Sequence, residues 1–94
     1  MRSRYSAYVM ERESYLLATW HPSTRPSFLD LQREPRPKWL GLKVLAKLEQ
    51  DADHVQVEFI ARYKIGGRGF RLHETSRFER IDGRWLYLDG DVSE

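Results

Sequence analysis

The chain has 94 residues, a formal net charge of +2 and no cysteine. Without cysteine there is no disulfide framework, no thiolate zinc site and no cysteine nucleophile. Hydrophobic residues make up 40% of the chain and charged residues 32%, which is typical of a globular domain and not of a disordered segment. No apolar run approaches the roughly 20 residues that span a bilayer, and the N-terminus lacks the apolar region of a signal peptide. We therefore expect one cytoplasmic domain over residues 1–94, with no membrane partner.

The first 37 residues favour helices and loops. Ser3 and Ser14 are candidate N-caps of two successive helices. Pro22 ends the second helix, and Pro26 begins a short third helix that carries Phe28, Leu29 and Leu31. Residues 34–37 form an extended connector. Apolar residues recur at helical spacing in the first two helices, at Tyr5, Tyr8, Val9, Leu16, Leu17 and Trp20.

From residue 38 onward apolar and polar residues alternate with a period of two, the pattern of strands that bury one face. Strands are predicted over 39–49, 54–65, 70–81 and 84–91, with a two-residue hairpin turn at Asp82-Gly83. The predicted fold is therefore α+β, with N-terminal helices packed in a curved antiparallel four-stranded sheet.

Closing the three turns predicts a pairing register in which one common face is buried. Residues 66–69 are taken as a four-residue loop in this register. The predicted pairs are Leu48 with Val55, Val44 with Phe59, Ala61 with Glu74, Phe59 with Ser76, Phe78 with Tyr87, Ser76 with Asp89, and Glu74 with Asp91.

Glu74 is the most informative residue in this pattern, because it places a carboxylate on an otherwise apolar face. A carboxylate there must be hydrogen-bonded, paired with a cation or held neutral. The small Ala61 opposite it leaves space, which predicts a pocket. Its predicted walls and rim are Tyr5, Trp20, Tyr63, Ser76, Tyr87 and Asp89.

Two interpretations of Glu74 follow from the residues alone. In the first, Glu74 is a catalytic acid or base that moves protons, assisted by His21 at the rim or by Tyr63. In the second, Glu74 bonds backbone N–H groups of the helices or pairs with Arg4, and so docks helices on sheet. The pattern leaves open whether the protein is an enzyme.

Other features bear on partners. His21, His54 and His73 lack metal-ligand spacing, so neither a metal nor a cofactor is expected. Leu86 and Leu88 on the outer face of the last hairpin suggest a homodimer contact. The Arg-rich segment 62–84 is either a solvated strand face or a nucleic-acid contact.

Six strings along the chain resemble the middle domain of the YchJ family of SEC-C-motif-associated bacterial proteins, a match that covers nearly the whole chain. They are MRSRYSAYV, YLLATWHPSTRP, WLGLKVL, VEFIARYK, RLHETSRFER and GRWLYLDGD. The resemblance implies a nuclear-transport-factor-two-like (cystatin-like) cone with a pocket between helices and sheet. In that family a cysteine-rich SEC-C segment, a zinc binder, precedes the first string. We therefore expect either a naturally shorter member or a start that lies upstream of Met1, with no zinc bound by these residues.

The resemblance implies a fold and no particular activity, because related folds host isomerases, dehydratases, hydrolases and binding modules alike. An aromatic-lined pocket with few polar groups favours a small-ligand or partner-binding accessory module. The alternatives are proton-transfer catalysis by Glu74 and, less favoured, nucleic-acid binding through the 62–84 hairpin.

Overall fold

The computed structural model describes residues 2–29, 31 and 36–93. Two helices, α1 (Arg2–Val9) and α2 (Glu13–Ala18), precede four strands: β1 (Lys38–Asp51), β2 (His54–Ile65), β3 (Arg68–Ile81) and β4 (Arg84–Ser93). The strands form one antiparallel sheet in the order β1-β2-β3-β4. This confirms the predicted α+β class with a four-stranded sheet. Neither α1 nor α2 has the length and apolar character of a membrane-spanning helix.

The boundary between the two helices is set by Glu11 and not by the predicted serine caps, which both lie inside helices. Glu11 has a positive φ of 55°. Its N–H donates to the carbonyl of Tyr8, and the next N–H, that of Arg12, donates to the carbonyl of Ala7 at 2.8 Å. These two bonds form a Schellman motif, which satisfies carbonyls at the end of α1.

The third predicted helix does not form in the described part of its range. Residues 26–29 are not helical, although Pro26 suits a first helical turn. Phe28 is 70% exposed, so this segment gains little of the apolar burial that stabilises short helices. The rest of that predicted helix, apart from Leu31, and the first half of the 34–37 connector lie outside the described residues.

The turn between β2 and β3 has two residues, so the predicted four-residue loop is wrong. Gly66 and Gly67 have φ values of 58° and 79°, as a tight hairpin turn requires. The strands then pair from Ile65 and Arg68 onward. Each predicted pair across this hairpin shifts by two residues, which places Phe59 opposite Glu74 and Val57 opposite Ser76. Because the shift is even, Glu74 and Ser76 keep their place on the inner face.

A β-bulge changes the register of the last hairpin. The predicted pair Phe78 and Tyr87 is confirmed, but the register shifts between Arg77 and Phe78. Arg77 then lies opposite Asp89, and Thr75 lies opposite Asp91. The predicted pairs Ser76 with Asp89 and Glu74 with Asp91 are therefore wrong. A slip of one residue moves a side chain to the other face, so both aspartates lie on the outer face.

The first hairpin also carries a bulge, between Val44 and Ala46. The pair Val44 with Phe59 is confirmed, whereas Leu48 lies opposite Gln56 and not opposite Val55. Leu48 is consequently 58% exposed.

The core lies between the helices and the inner face of the sheet. Backbone bonds attach the chain after α2 to β4: Tyr87 donates to the carbonyl of Thr19 at 2.8 Å, and His21 donates to the carbonyl of Tyr87 at 2.7 Å. The buried apolar residues are Ala7, Leu16, Val55, Val57, Phe59, Ala61, Phe78 and Leu86.

Leu86 is 9% exposed within a single chain, and Leu88 is half-buried. A homodimer contact through these two leucines stays a prediction. The two side chains expose less apolar surface for such a contact than the sequence suggested.

Gly67 tests the tight turn. Gly67→Ala forces a side chain into the left-handed region and should lower the free energy of unfolding by about 1–2 kcal/mol. Gly69→Ala is the matched control, because its added Cβ meets no atom within 4 Å and its φ lies outside the left-handed region. The control should stay within about 0.5 kcal/mol of wild type in urea denaturation. Equal losses in the two variants would contradict the two-residue turn.

Candidate functional site

A cavity of about 230 Å³ lies between α1 and the inner face of the sheet. Its lining combines aromatic and apolar walls with a few polar groups, the usual composition of a small-molecule site. The lining residues are Arg4, Tyr5 and Tyr8 of α1, Trp39 of β1, Phe59 and Ala61 of β2, Leu72, Glu74 and Ser76 of β3, and Tyr87 of β4.

Glu74 is held at one of its two oxygens. The Ser76 hydroxyl and the Tyr87 hydroxyl, the latter at 3.4 Å, both donate to Glu74 Oε2. Ser76 is fully buried, with 0% exposure. Among the described residues no donor bonds to Glu74 Oε1, so that oxygen can still accept a hydrogen bond.

Gly90 makes room for this carboxylate. Gly90 lies directly opposite Ser76, and the Glu74 side chain rests against the β4 backbone there. A Cβ at Gly90 would lie 2.5 Å from Glu74 Oε2 and 2.8 Å from its Cδ. The bulge at Arg77 and Phe78 is what brings a glycine to this position.

Arg4 also lines the cavity, but its bonds go to α2 and not to Glu74. From Nη1 it donates to the carbonyl of Leu16 at 3.2 Å, the carbonyl of Thr19 at 3.3 Å and the Thr19 hydroxyl at 2.8 Å. Its guanidinium lies 4.7 Å from the centroid of the Tyr87 ring and 5.1 Å from that of Trp20. The interpretation in which Glu74 docks the helices, by bonding their N–H groups or by pairing with Arg4, is therefore wrong for the described residues, and Arg4 instead holds the end of α2.

Burial is the main cause of the shifted pKa values of Tyr87, Tyr8 and Arg4, which surround Glu74. Burial raises the pKa of Tyr87 well above its ordinary value, and the nearby charge of Glu74 acts in the same direction. Burial likewise raises the pKa of Tyr8, where Arg4 opposes the shift and Glu74 adds to it. Burial lowers the pKa of Arg4. Tyr87 thus stays a hydrogen-bond donor to Glu74 across the neutral range.

Of the predicted pocket residues, Tyr5, Glu74, Ser76 and Tyr87 line the cavity together. The other predicted residues lie behind the walls or outside them. Trp20, His21, Tyr63 and Asp89 are also predicted at the pocket but do not line this cavity.

Trp20 and Tyr63 support the wall residues and do not themselves line this cavity. Trp20 packs edge-on against Tyr87, with ring centroids 4.9 Å apart. Its Nε1 is buried and has no acceptor among the described residues. Tyr63 stacks on Phe70 at 5.4 Å and contacts Trp39 at 5.3 Å.

His21 and Asp89 lie away from the cavity. His21 Nε2 is 3.4 Å from Glu79 Oε2, and its Nδ1 faces the Ser23 hydroxyl at 2.7 Å. Asp89 Oδ1 accepts a hydrogen bond from Arg77 Nε at 2.6 Å on the outer face. The backbone bond of His21 to β4 and the bulge in β4 place these two side chains.

Sequence reasoning left Tyr8, Trp39, Phe59 and Leu72 out of the pocket list, although their spacing carried a signal. Tyr8 shares a helical stripe with Tyr5, and the alternation puts Phe59 and Leu72 on the inner face. Trp39 gave no such signal, because only the irregularity between Trp39 and Gly41 turns it toward Tyr63.

No group of three or more His, Asp or Glu side chains within residues 2–29, 31 and 36–93 is arranged to hold a metal ion. With no cysteine in the sequence, these residues do not fit the zinc that the family resemblance associates with the SEC-C segment.

Nearly the whole length of the fold resembles one protein family. A family model described as the middle, NTF2-like domain of YchJ matches residues 1–90. The chain belongs to the YchJ middle-domain family. This confirms the resemblance seen in the sequence.

Three relatives of this YchJ-family chain, all called UPF0225 proteins, share more than half of its residues. The protein of Ralstonia nicotianae is 55% identical over 99% of this chain and 72% of its own length. That of Polaromonas naphthalenivorans is 59% identical over 97% and 65%, and that of Chromobacterium violaceum 58% over 99% and 71%. The chain thus spans 65% to 72% of these relatives.

Two solved structures share the fold of this YchJ-family domain. The solution structure of a SEC-C motif containing protein from Rhodopseudomonas palustris matches all of this chain and 76% of its own, with a TM-score of 0.85 and 33% identity. The crystal structure of a SEC-C motif containing protein from Psychrobacter arcticus matches all of this chain and 59% of its own, with a TM-score of 0.79 and 34% identity.

A substitution at Gly90 tests whether the Glu74 carboxylate needs the space beside β4. Gly90→Ala should displace the carboxylate from Ser76 and Tyr87 and lower the free energy of unfolding by about 1–3 kcal/mol. Gly41→Ala should be milder, because its Cβ meets nothing within 4 Å. In a Glu74→Ala background the Gly90→Ala loss should shrink by at least about 0.5 kcal/mol in urea denaturation. An unchanged loss there would show that Glu74 is not the clashing group.

The substitution Tyr87→Phe tests how the buried phenol of Tyr87 affects the pH dependence of stability. Its pKa is raised in the folded state, so the folded protein keeps this proton where the unfolded chain loses it. The resulting stabilisation is complete below about pH 10 and is lost as the pH rises above that value. Tyr87→Phe should therefore make stability fall less steeply above pH 10, by up to about 1.4 kcal/mol per pH unit, in urea denaturation at a series of pH values. Equal slopes in both proteins would be the contrary result.

Proposed function

We propose that this domain is an accessory module that binds a small molecule in the cavity at Glu74. The observation that supports it best is a carboxylate with one unbonded oxygen inside an aromatic cavity. Glu74 Oε2 is taken by Ser76 and Tyr87, and Oε1 faces no donor among the described residues. Glu74 is half-buried, and a ligand that donates to Oε1 would add a charge-assisted hydrogen bond inside the cavity.

The size of the cavity limits the ligand. Drug-sized ligands occupy pockets of roughly 300–1,000 Å³, and this cavity of about 230 Å³ lies below that range. At the ~30 Å³ that a molecule of liquid water occupies, it holds about eight non-hydrogen atoms. The ligand class is therefore a small molecule of one ring or a short chain.

Charge favours a cationic or hydrogen-bond-donating ligand. Arg4 and Glu74 both line the cavity, but Arg4 Nη1 is engaged by α2 and the guanidinium lies against the Tyr87 and Trp20 rings. No residue in the described part of the chain donates to Glu74 Oε1, and the walls formed by Tyr5, Tyr8 and Trp39 suit a cation or a planar ring. We infer an amine or alcohol carried on an apolar body.

We also propose that the sheet curves into a cone around the helices and that the protein is cytoplasmic.

Proton-transfer catalysis is the second candidate function. The hydrogen bond between Glu74 and Tyr87 over a cavity is the observation that favours it, because a proton acceptor and a proton donor meet there. His21 and Tyr63 do not line the cavity, so neither assists in this form of the hypothesis. The candidate chemistry is removal of a proton from a carbon acid by Glu74.

Three matched probes test ligand binding: benzylamine, benzyl alcohol and benzoate, followed by amide NMR. We expect benzylamine to bind best, with shifts centred on residues 74, 76 and 87, and benzoate to bind least. Glu74→Gln should weaken benzylamine binding by about tenfold or more, which is 1.4 kcal/mol.

Glu79→Gln is the control, since it makes the same chemical change on the outer face. Retention of benzylamine binding by Glu74→Gln, or no response to all three probes, would contradict the proposal. Exchange of the α-protons of cyclohexanone into D₂O, present in wild type and lost in Glu74→Gln, would instead favour catalysis.

A further inference from the structure

We propose that the outer face of the sheet, near the β2–β3 turn, binds the phosphate backbone of a nucleic acid. Five exposed cations form this cationic surface: Lys38, Lys43, Arg62, Lys64 and Arg71. It lies on the face opposite the Glu74 cavity and stands independently of the function proposed for that cavity.

The register places these cations on one face. Phe59 and Ala61 line the inner cavity, so Arg62 and Lys64 alternate to the outer face. Lys38 lies opposite Lys64, Arg71 opposite Arg62, and Lys43 opposite Ile60 in the neighbouring row. Residues directly opposite one another share a face, so the five side chains point the same way.

Two of these cross-strand pairs, Lys38 with Lys64 and Arg62 with Arg71, place like charges directly opposite each other. Such pairs destabilise an antiparallel sheet. No carboxylate of residues 2–29, 31 or 36–93 forms an ion pair with any of the five cations. Glu58, on the same face, is engaged by His73 at 2.7 Å. The fold thus keeps a repulsive cluster of cations that an anionic partner would neutralise.

Two other arginines of the 62–84 segment, Arg77 and Arg80, do have acidic partners. Arg77 bonds to Asp89 and Asp91 at 2.6 and 2.8 Å, and Arg80 bonds to Asp53 at 3.2 Å. Arg77 and Arg80 are therefore neutralised, whereas Arg62 and Arg71 form no ion pair with an acid of residues 2–29, 31 or 36–93. Of these four arginines, only Arg62 and Arg71 contribute to the cationic surface.

The character of the surface favours nucleic acid over an acidic protein or a membrane. Protein interfaces depend on aromatic or apolar anchors, and stable membrane-surface binding adds inserted apolar groups to electrostatic attraction. Ile60, the apolar residue in these rows, is half-buried, and Leu40, at the irregularity between Trp39 and Gly41, is 50% exposed. Phosphate backbone contacts require only cations, and the Arg fork fits a phosphate. Gly41 and Gly69, opposite Arg62 and Lys64, leave the rows unobstructed.

Fluorescence anisotropy with a labelled random-sequence RNA strand, and with duplex DNA of equal length, tests the proposal. Binding of either probe at low salt is expected, with affinity falling as salt rises. At about 0.7 counterions per single-strand phosphate contact, four contacts give a log–log slope of about −3 for the RNA. The Arg62→Glu/Arg71→Glu variant should bind roughly tenfold or more weakly.

Arg25→Glu/Arg84→Glu is the matched control, because it changes the net charge equally away from the cationic surface. It should bind within about twofold of wild type. Arg62→Glu alone should raise the melting temperature, since it turns a repulsive pair into an attractive one, and circular dichroism confirms that each variant is folded.

Three results would overturn the proposal. They are no binding of either probe at low salt, equal weakening by both double variants, and binding to phosphatidylserine vesicles with none to nucleic acid.

Discussion

The buried guanidinium of Arg4 is the contact on which the arrangement of this domain depends. It is 5% exposed, donates to the end of α2 through Leu16 and Thr19, and lies against the rings of Tyr87 and Trp20. A buried cation is costly unless its donors are satisfied, so α1 is stable only where these carbonyls and rings are available. Thr19 also accepts the backbone bond of Tyr87. The Arg4 side chain therefore links the docking of the helices, the edge strand β4 and the part of the cavity lining that α1 supplies.

A single bulge in β4, at Leu88 opposite Arg77 and Phe78 of β3, decides which carboxylates line the cavity. Without it, alternation would turn Asp89 and Asp91 inward beside Glu74, and three like charges would share one small space. The bulge moves the two aspartates to the outer face, where Arg77 binds both, and brings Gly90 opposite Ser76. Of the described residues, Glu74 is then the one carboxylate that lines the cavity, and it has room to lie against β4. The extra residue thus isolates a polar group inside an aromatic wall.

The two faces of the sheet depart from the most stable arrangement in different ways. On the inner face an acidic side chain replaces an apolar one, and on the outer face Arg62 opposes Arg71 and Lys38 opposes Lys64. Departures of this kind concentrate at functional sites, because binding groups must remain unsatisfied until a partner arrives. Both proposed sites lie at such departures, and they use separate residues. A YchJ-family domain of this kind could hold a small molecule inside and a polyanion outside.

The sequence by itself determined the α+β class, the four strands, the common inner face and the place of Glu74 and Ser76 on it, because alternation has a period of two and survives an even shift in register. It also carried the family resemblance. Only the tertiary structure decided the two-residue turn at Gly66-Gly67, the bulges that moved Asp89 and Leu48 outward, and the position of His21 beside Glu79. A bulge inserts one residue without a clear local signal, and its position depends on how side chains of distant strands and helices pack together.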